Sequence, residues 1–256
     1  MKHFSIVFLI TVLFTCCSKA EKNEITAETV IDKAIIASGK SKLKYSELNF
    51  NFRGVSYSSL GKCDHFIYKR ISKTKDSVFT DIYNTKNNLK RYFQNEEYLI
   101  ADTTAFKYAE SINSVNYFIQ LPERLNDQAV IKTYLGLDTI HGKTYHTIKV
   151  KFSEENGGTD FQDIYYYWFG EKDYKLTYLA YSFAVNGGGI RFREAFNERL
   201  VNGVRFVDYK NYKPKPDKTL SLENLSDGFE KGELILLSTI ENVIESLEVN
   251  DKDCNS

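Results

Sequence analysis

Residues 175–212 read KLTYLAYSFAVNGGGIRFREAFNERLVNGVRFVDYKNY, and this stretch decides the fold. Apolar and polar residues alternate along Lys175–Val185, Ile190–Leu200 and Val204–Tyr212, which is the period of strands. Asn202-Gly203 is the strongest two-residue hairpin signal in the chain. It sets Leu200 opposite Arg205, Phe196 opposite Tyr209 and Glu194 opposite Asn211. A turn at Gly187-Gly188 sets Phe183 opposite Phe192, Tyr181 opposite Glu194 and Leu179 opposite Phe196. Together the two registers put Leu179, Tyr181, Phe183, Phe192, Phe196 and Tyr209 on one face, with Glu194 and Asn211 among them. Arg191, Arg193, Arg199 and Asp208 fall on the other. A slip of one residue in the glycine turn would carry Leu179–Phe183 to the opposite face.

Working outward, Phe161–Phe169 reads as the preceding strand, and Thr133–Ile140 with Thr144–Phe152 as a hairpin turning at His141-Gly142-Lys143. Lys213-Pro214-Lys215-Pro216 ends the meander. Leu222–Gly232 suits a short helix, whereas Leu234–Val249 suits a helix by spacing and a closing strand by composition. Near the start, Thr26 caps a helix in which Val30, Ile31, Ala34 and Ile35 share a face, and Gly39 stops it. Leu48, Phe50 and Phe52 then alternate with polar residues as a half-buried strand. Further strands are expected at His65–Lys73, Ser77–Asn84, Leu89–Gln94 and Glu97–Ala101, and Asp102 is expected to cap a helix from Thr103 to Phe118. Antiparallel strands in succession with two or three helices predict an α+β fold: one strongly curved sheet, a half-barrel, with the helices covering its concave face.

Composition narrows the function classes. The chain of 256 residues carries 34 Lys plus Arg against 34 Asp plus Glu, which argues against a general nucleic-acid binder. With 18 Tyr and 18 Phe it is far too aromatic to be disordered. Its start is an address. Lys2 and His3 precede an apolar run from Phe4 to Phe14, too short for a membrane span of roughly 20 residues but suited to a secretory signal. Leu13-Phe14-Thr15-Cys16-Cys17 at its end resembles a bacterial lipobox, with Cys17 preferred over Cys16 as the acylated residue. The expected division is a signal peptide at 1–16, a polar tether at 17–24 and a single domain at 25–253. Palmitate-type acyl chains on Cys17 would hold the protein on the outer membrane, facing the periplasm or the cell surface. In such a compartment Cys63 and Cys254 could pair, although their sequence positions do not show proximity.

Catalytic signatures are few. His65, His141 and His146 have no metal-ligand spacing and no CxxC occurs, so neither a metal nor a cofactor is expected. His146 shares a strand face with Ile148 and Val150, as a core histidine would. Glu194 on an aromatic face must be paired, hydrogen-bonded or neutralised, and Tyr181 and Asn211 are the expected partners. It is either a polar anchor or acid in a cavity, or a member of a structural network. Arg191, Arg193 and Arg199 are either an anion clamp or a solvated face paired to residues such as Asp208.

Three motifs look familiar together: Gly157-Gly158-Thr159-Asp160-Phe161-Gln162-Asp163, Gly187-Gly188-Gly189-Ile190-Arg191-Phe192-Arg193-Glu194-Ala195, and Arg205-Phe206-Val207-Asp208-Tyr209 continuing to Asn211-Tyr212-Lys213-Pro214. They resemble an uncharacterised family of Bacteroidota lipoproteins, a domain of unknown function with no assigned active site. The family is similar in architecture to the half-barrel carriers and receptors of outer-membrane lipoprotein sorting. The aromatic face of the final meander points to a non-enzymatic, membrane-anchored half-barrel that holds a lipid, acyl chain or other apolar ligand between sheet and helices. Tyr181, Phe183, Phe192, Glu194, Phe196 and Tyr209 are its expected lining. Two other readings stand beside it: a hydrolase using Glu194 as acid/base with His146 or Asp163, and a module docking an envelope protein.

Overall fold

A computed structural model describes residues 25–155, 161–184 and 187–250. The signal segment, Cys17, the tether, Cys254 and the loop at Asn156-Gly157-Gly158 lie outside the described residues. Cys63 is disulfide-bonded.

The described chain is α+β and all its strand pairs are antiparallel. The expected single sheet divides into two seven-stranded sheets. The first holds β1 (Ser46–Phe52), β2 (Val55–Gly61), β3 (Phe66–Lys73), β4 (Val78–Asn84), β5 (Leu89–Phe93), β6 (Glu96–Glu97) and β14 (Asn242–Val249), with β14 beside β1. The second holds β7 (Val130–Ile140), β8 (Lys143–Phe152), β9 (Tyr165–Gly170), β10 (Leu176–Phe183), β11 (Gly189–Val201), β12 (Val204–Pro214) and β13 (Leu234–Ile240), in simple sequence order. Only Glu241 separates β13 from β14, so the ambiguous closing segment is one extended stretch that leaves one sheet and enters the other. Strand β2 was not among the expected elements, and Glu97–Ala101 yields only the two-residue β6.

Helix α1 (Ala27–Ser38) begins where Thr26 accepts a hydrogen bond from the Thr29 amide, and it ends at Gly39, which is left-handed at φ 64°. A side chain on Gly39 would also strike the Gly203 carbonyl, so the position serves both the helix stop and the close approach of the β11–β12 turn. Val30, Ile31, Ala34 and Ile35 pack on Ile148, Val150, Tyr167 and Phe169 of the second sheet. Helix α2 (Asp102–Gln120) packs on the first sheet, and its C-terminal end reaches the middle strands of the second, where Tyr117 meets Tyr167 and Phe118 meets Tyr181. Its N-cap is Ala101 rather than Asp102, which sits one position inside, where its charge still favours the N-terminal dipole. Tyr68 donates to the Gln120 side-chain oxygen at 3.2 Å, and Gln120 donates to Ser59 at 2.9 Å, tying α2 to the first sheet. The Tyr117 and Tyr167 hydroxyls meet at 2.9 Å and tie it to the second.

Helix α3 (Leu225–Glu230) corrects the expected helix placement, because it lies on the opposite face of the second sheet. Leu225 and Phe229 pack there on Tyr145, Trp168, Tyr178 and Phe192. The centre of that sheet is therefore buried on both sides. This is why β9, Tyr-Tyr-Tyr-Trp-Phe, is apolar at every position and does not alternate.

Candidate functional site

The strand registers decide which residues can meet. Leu200 does face Arg205 across Asn202-Gly203. Before that turn, however, a bulge at Asn197 and Glu198 opposes two residues of β11 to one of β12, and Asn197 takes φ 50° to allow it. Tyr209 consequently faces Ala195, and Phe196 faces Asp208. At the glycine loop Phe183 pairs with Gly189, so Tyr181 faces Arg191 and Tyr178 faces Glu194. Each departure reverses side-chain parity. The six residues expected on one face divide: Tyr181, Phe183 and Tyr209 look toward α2, whereas Phe192, Glu194 and Phe196 look away from it.

The second group belongs to a packed surface. Phe192 is fully buried against Trp168, Tyr178 and Phe229, with Phe229 at 4.8 Å between ring centres. Phe196 lies under the Lys210 ammonium at 5.7 Å. Glu194 accepts from the Tyr212 hydroxyl at 3.1 Å and from Lys210 at 3.4 Å, not from Tyr181 or Asn211. Those Glu194 contacts, with burial the larger cause, push the Tyr212 phenol up to about 12. His146 sits on the other face, stacked on Tyr174 and hydrogen-bonded to the Tyr134 hydroxyl at 3.0 Å. Burial lowers its imidazole pKa. With the sheet between them, Glu194 and His146 do not form an acid/base pair. Asp208 is held by Arg199 at 3.1 Å and Asn197 at 2.6 Å, the expected partners, but it is buried and also accepts from the Asn242 amide, so this is a buried network and not a solvated surface pair.

The face toward α2 is different. Between α2 and the margins of both sheets lies an open cavity of about 590 Å³. Phe66 and Tyr83 come from the first sheet, Tyr117 and Phe118 from α2, and Phe152 and Tyr165 from the second. Tyr181 stacks on Tyr165 at 5.5 Å and meets Phe118 at 5.7 Å, which puts it behind this aromatic wall. Charges at the cavity edge are paired: Arg124 with Asp127 at 2.6 Å, Lys44 with Glu123 at 2.6 Å, and Asp64 with His65 and Lys86. Hydrogen bonds from Lys86 and His65 hold the Asp64 carboxyl down at about 2. Burial raises the Tyr117 phenol, which therefore stays protonated as a neutral hydrogen-bonding group.

A second cavity, of about 250 Å³, lies where β13 hands over to β14. Tyr209, Arg193 and Arg53 line it together with Phe52, Ser114 and Phe118. Ser114 and Phe118 belong to both cavities, so one turn of α2 forms their common wall. Sequence reasoning missed α2's contribution and put Arg193 on the face opposite Tyr181 and Tyr209, leaving it open between an anion clamp and a solvated surface residue. The Tyr117-Phe118 pair at the end of a polar helix was the available signal for the former. For Arg193 there was none short of the true register. Among the described residues no cluster of His, Cys, Asp and Glu suited to a metal ion occurs. No described helix is long and apolar enough to cross a membrane.

Residues 2–242 match a family of unknown function, DUF6503. The chain belongs to that family. No curated protein matches this DUF6503 member. It is similar to a LolA superfamily protein from Nitrosomonas europaea, with 9% identity and a TM-score of 0.47 over 90% of this chain and 96% of that one. It is also similar to a DUF1329 family protein from Desulfovibrio piger, with 10% identity and a TM-score of 0.47 over 88% and 93% of the two chains.

Proposed function

We propose that this DUF6503 protein is a non-enzymatic lipoprotein of the cell envelope. Acylated Cys17 anchors it to the outer membrane, and it binds a lipid or acyl chain between α2 and the two sheets. One observation carries the binding reading: an open cavity of about 590 Å³ with aromatic side chains from three directions and its edge charges paired. The aromatic rings share the lining with polar side chains such as Glu110, Asn113, Arg124 and Gln128, so the site offers an amphiphile both an apolar wall and hydrogen-bonding groups. Of the six residues first expected to line the site, Tyr181, Phe183 and Tyr209 stand on this face and remain in the proposal. Ser114→Trp tests it, because Ser114 is an exposed residue of α2 at the common wall of both cavities. Native mass spectrometry against a panel of fatty acids, phospholipids and glycolipids should show binding to the wild type and its loss in Ser114→Trp, with little change in thermal stability. Absence of binding across all lipid classes would overturn the reading.

A further inference from the structure

The two cavities differ in charge. The larger one is edged by acids and bases in pairs, whereas the smaller has two guanidinium groups, Arg53 and Arg193, and no carboxylate in its lining. Most other arginines of the fold have an acidic partner: Arg70 and Arg91 share Asp81, Arg124 holds Asp127, Arg199 holds Asp208 and Arg205 holds Glu198. Arg53 and Arg193 make no ion pair among the described residues.

Arg193 is also held in place. Its guanidinium lies 4.2 Å from the Phe118 ring centre and 5.0 Å from that of Tyr181, and it donates to the Tyr181 hydroxyl at 2.8 Å. A phenol hydroxyl accepts the hydrogen bond but does not neutralise the charge. The Arg193 Nε is buried without a hydrogen-bond partner. A partly buried, unneutralised guanidinium is costly, and an anion that accepts from its planar fork offsets that cost. Arg53 approaches the same space from the end of β1, its guanidinium 5.3 Å from the Phe52 ring centre. Phe118 is the common element: one cavity uses it as aromatic wall, and Arg193 stacks against it in the other.

We infer that the ligand is an anionic amphiphile, whose apolar chain lies along the aromatic cavity and whose single carboxylate or phosphate is received by Arg193 and Arg53. The inference rests on the apolar-ligand reading above and adds the class of ligand. Arg193 is thereby a recognition residue, on the face that carries Tyr181 and Tyr209.

The test compares probes that differ only at the head: oleate, 1-oleoyl lysophosphatidate and oleyl alcohol, with inorganic phosphate as the chain-free anion. Affinities are read by competition with a fluorescent fatty acid and by native mass spectrometry. The wild type should bind an anionic probe about tenfold or more tightly than oleyl alcohol, as for a hydrogen-bonded charge pair. That ratio should fall toward one in Arg53→Met/Arg193→Met, and partway in Arg53→Met alone, an exposed turn substitution that spares the core. Preference for lysophosphatidate or for oleate identifies the head as phosphate or carboxylate, and either supports the inference. Equal binding of oleate, lysophosphatidate and oleyl alcohol would overturn it while leaving the apolar-ligand reading intact. An unchanged ratio in the folded arginine variants would do the same. Inorganic phosphate binding as tightly as lysophosphatidate would replace the amphiphile with a free anion. Failure of all three chain-bearing probes to bind, with inorganic phosphate not binding either, would overturn both readings.

Discussion

Helices α3 and α2 lie on opposite faces of the second sheet and leave those faces in different states. The short α3 sets Phe229 among Tyr178, Phe192 and Tyr212, with ring centres 4.8 to 5.9 Å apart, so the space directly beneath that ring is filled, and an open cleft of about 420 Å³ lies further along the same face, against Leu135, Trp168 and Glu223. The long α2 is held at its C-terminal end by hydrogen bonds to Ser59, Tyr68 and Tyr167, which fix it across both sheets and leave two cavities along it. Filling needs side chains that interlock. A helix held at a distance by hydrogen-bonded tyrosines and a glutamine instead keeps room for a guest. The same aromatic residue types therefore serve as packing on one face and as a lining on the other.

The largest effect that separates the faces is expected from Phe192→Ala. The ring is fully buried and touches three other aromatic rings. Its removal should cost about 3–5 kcal/mol of stability, measured by denaturant unfolding. Folded molecules should retain the lipid affinity of the wild type. A stability loss below about 1 kcal/mol together with a large loss of lipid binding would make the α3 face a ligand site and reverse the comparison.

A smaller effect is expected from His146→Gln and concerns the part of the other face that α1 covers. Burial depresses the His146 pKa, so the unfolded chain binds its proton more readily than the folded one. The sign follows directly. Stability from this group is fully present above the unfolded value of about 6.5 and is lost as pH falls below it toward and through the lower folded value. Thermal unfolding between pH 7.5 and 5 should show a steeper loss in the wild type than in His146→Gln. Equal slopes would mean that water reaches this histidine and that the face is wet under α1 as well as under α2.

The sequence made much of this legible. Period-two alternation located the strands of the second sheet, Thr26 and Gly39 bounded α1, and Asn202-Gly203 set the register nearest its turn. Two local events then defeated the extrapolation. The bulge at Asn197 and Glu198 shifts parity by one residue, and the loop between Phe183 and Gly189 is longer than a two-residue turn. Both depend on backbone conformations that several sequences allow equally well, so alternation alone cannot choose among them. Because the two shifts compensate, Tyr181, Phe183 and Tyr209 still share a face, but they lose Phe192, Glu194 and Phe196 and gain Arg193. Which face α3 covers had no local signal at all, since Leu225 and Phe229 find their partners only in the folded sheet.

Glu194→Gln is expected to do least. As a carboxylate on an aromatic face it stood out in the sequence, but it accepts from Tyr212 and lies 3.4 Å from a half-exposed Lys210. Water and salt screen such a pair, so its loss should change stability by less than about 1 kcal/mol. The glutamine oxygen can still accept from the Tyr212 hydroxyl. Lipid affinity should be unaltered, since Glu194 points into the α3 face and lines neither of the two cavities along α2. A collapse of binding in a stably folded Glu194→Gln protein would return function to the α3 face. Silence from that substitution, set beside a loss of anion preference in the Arg53→Met/Arg193→Met variant, would place recognition with the arginines of the β1–β2 turn and β11 and not with the one carboxylate that the sequence made conspicuous.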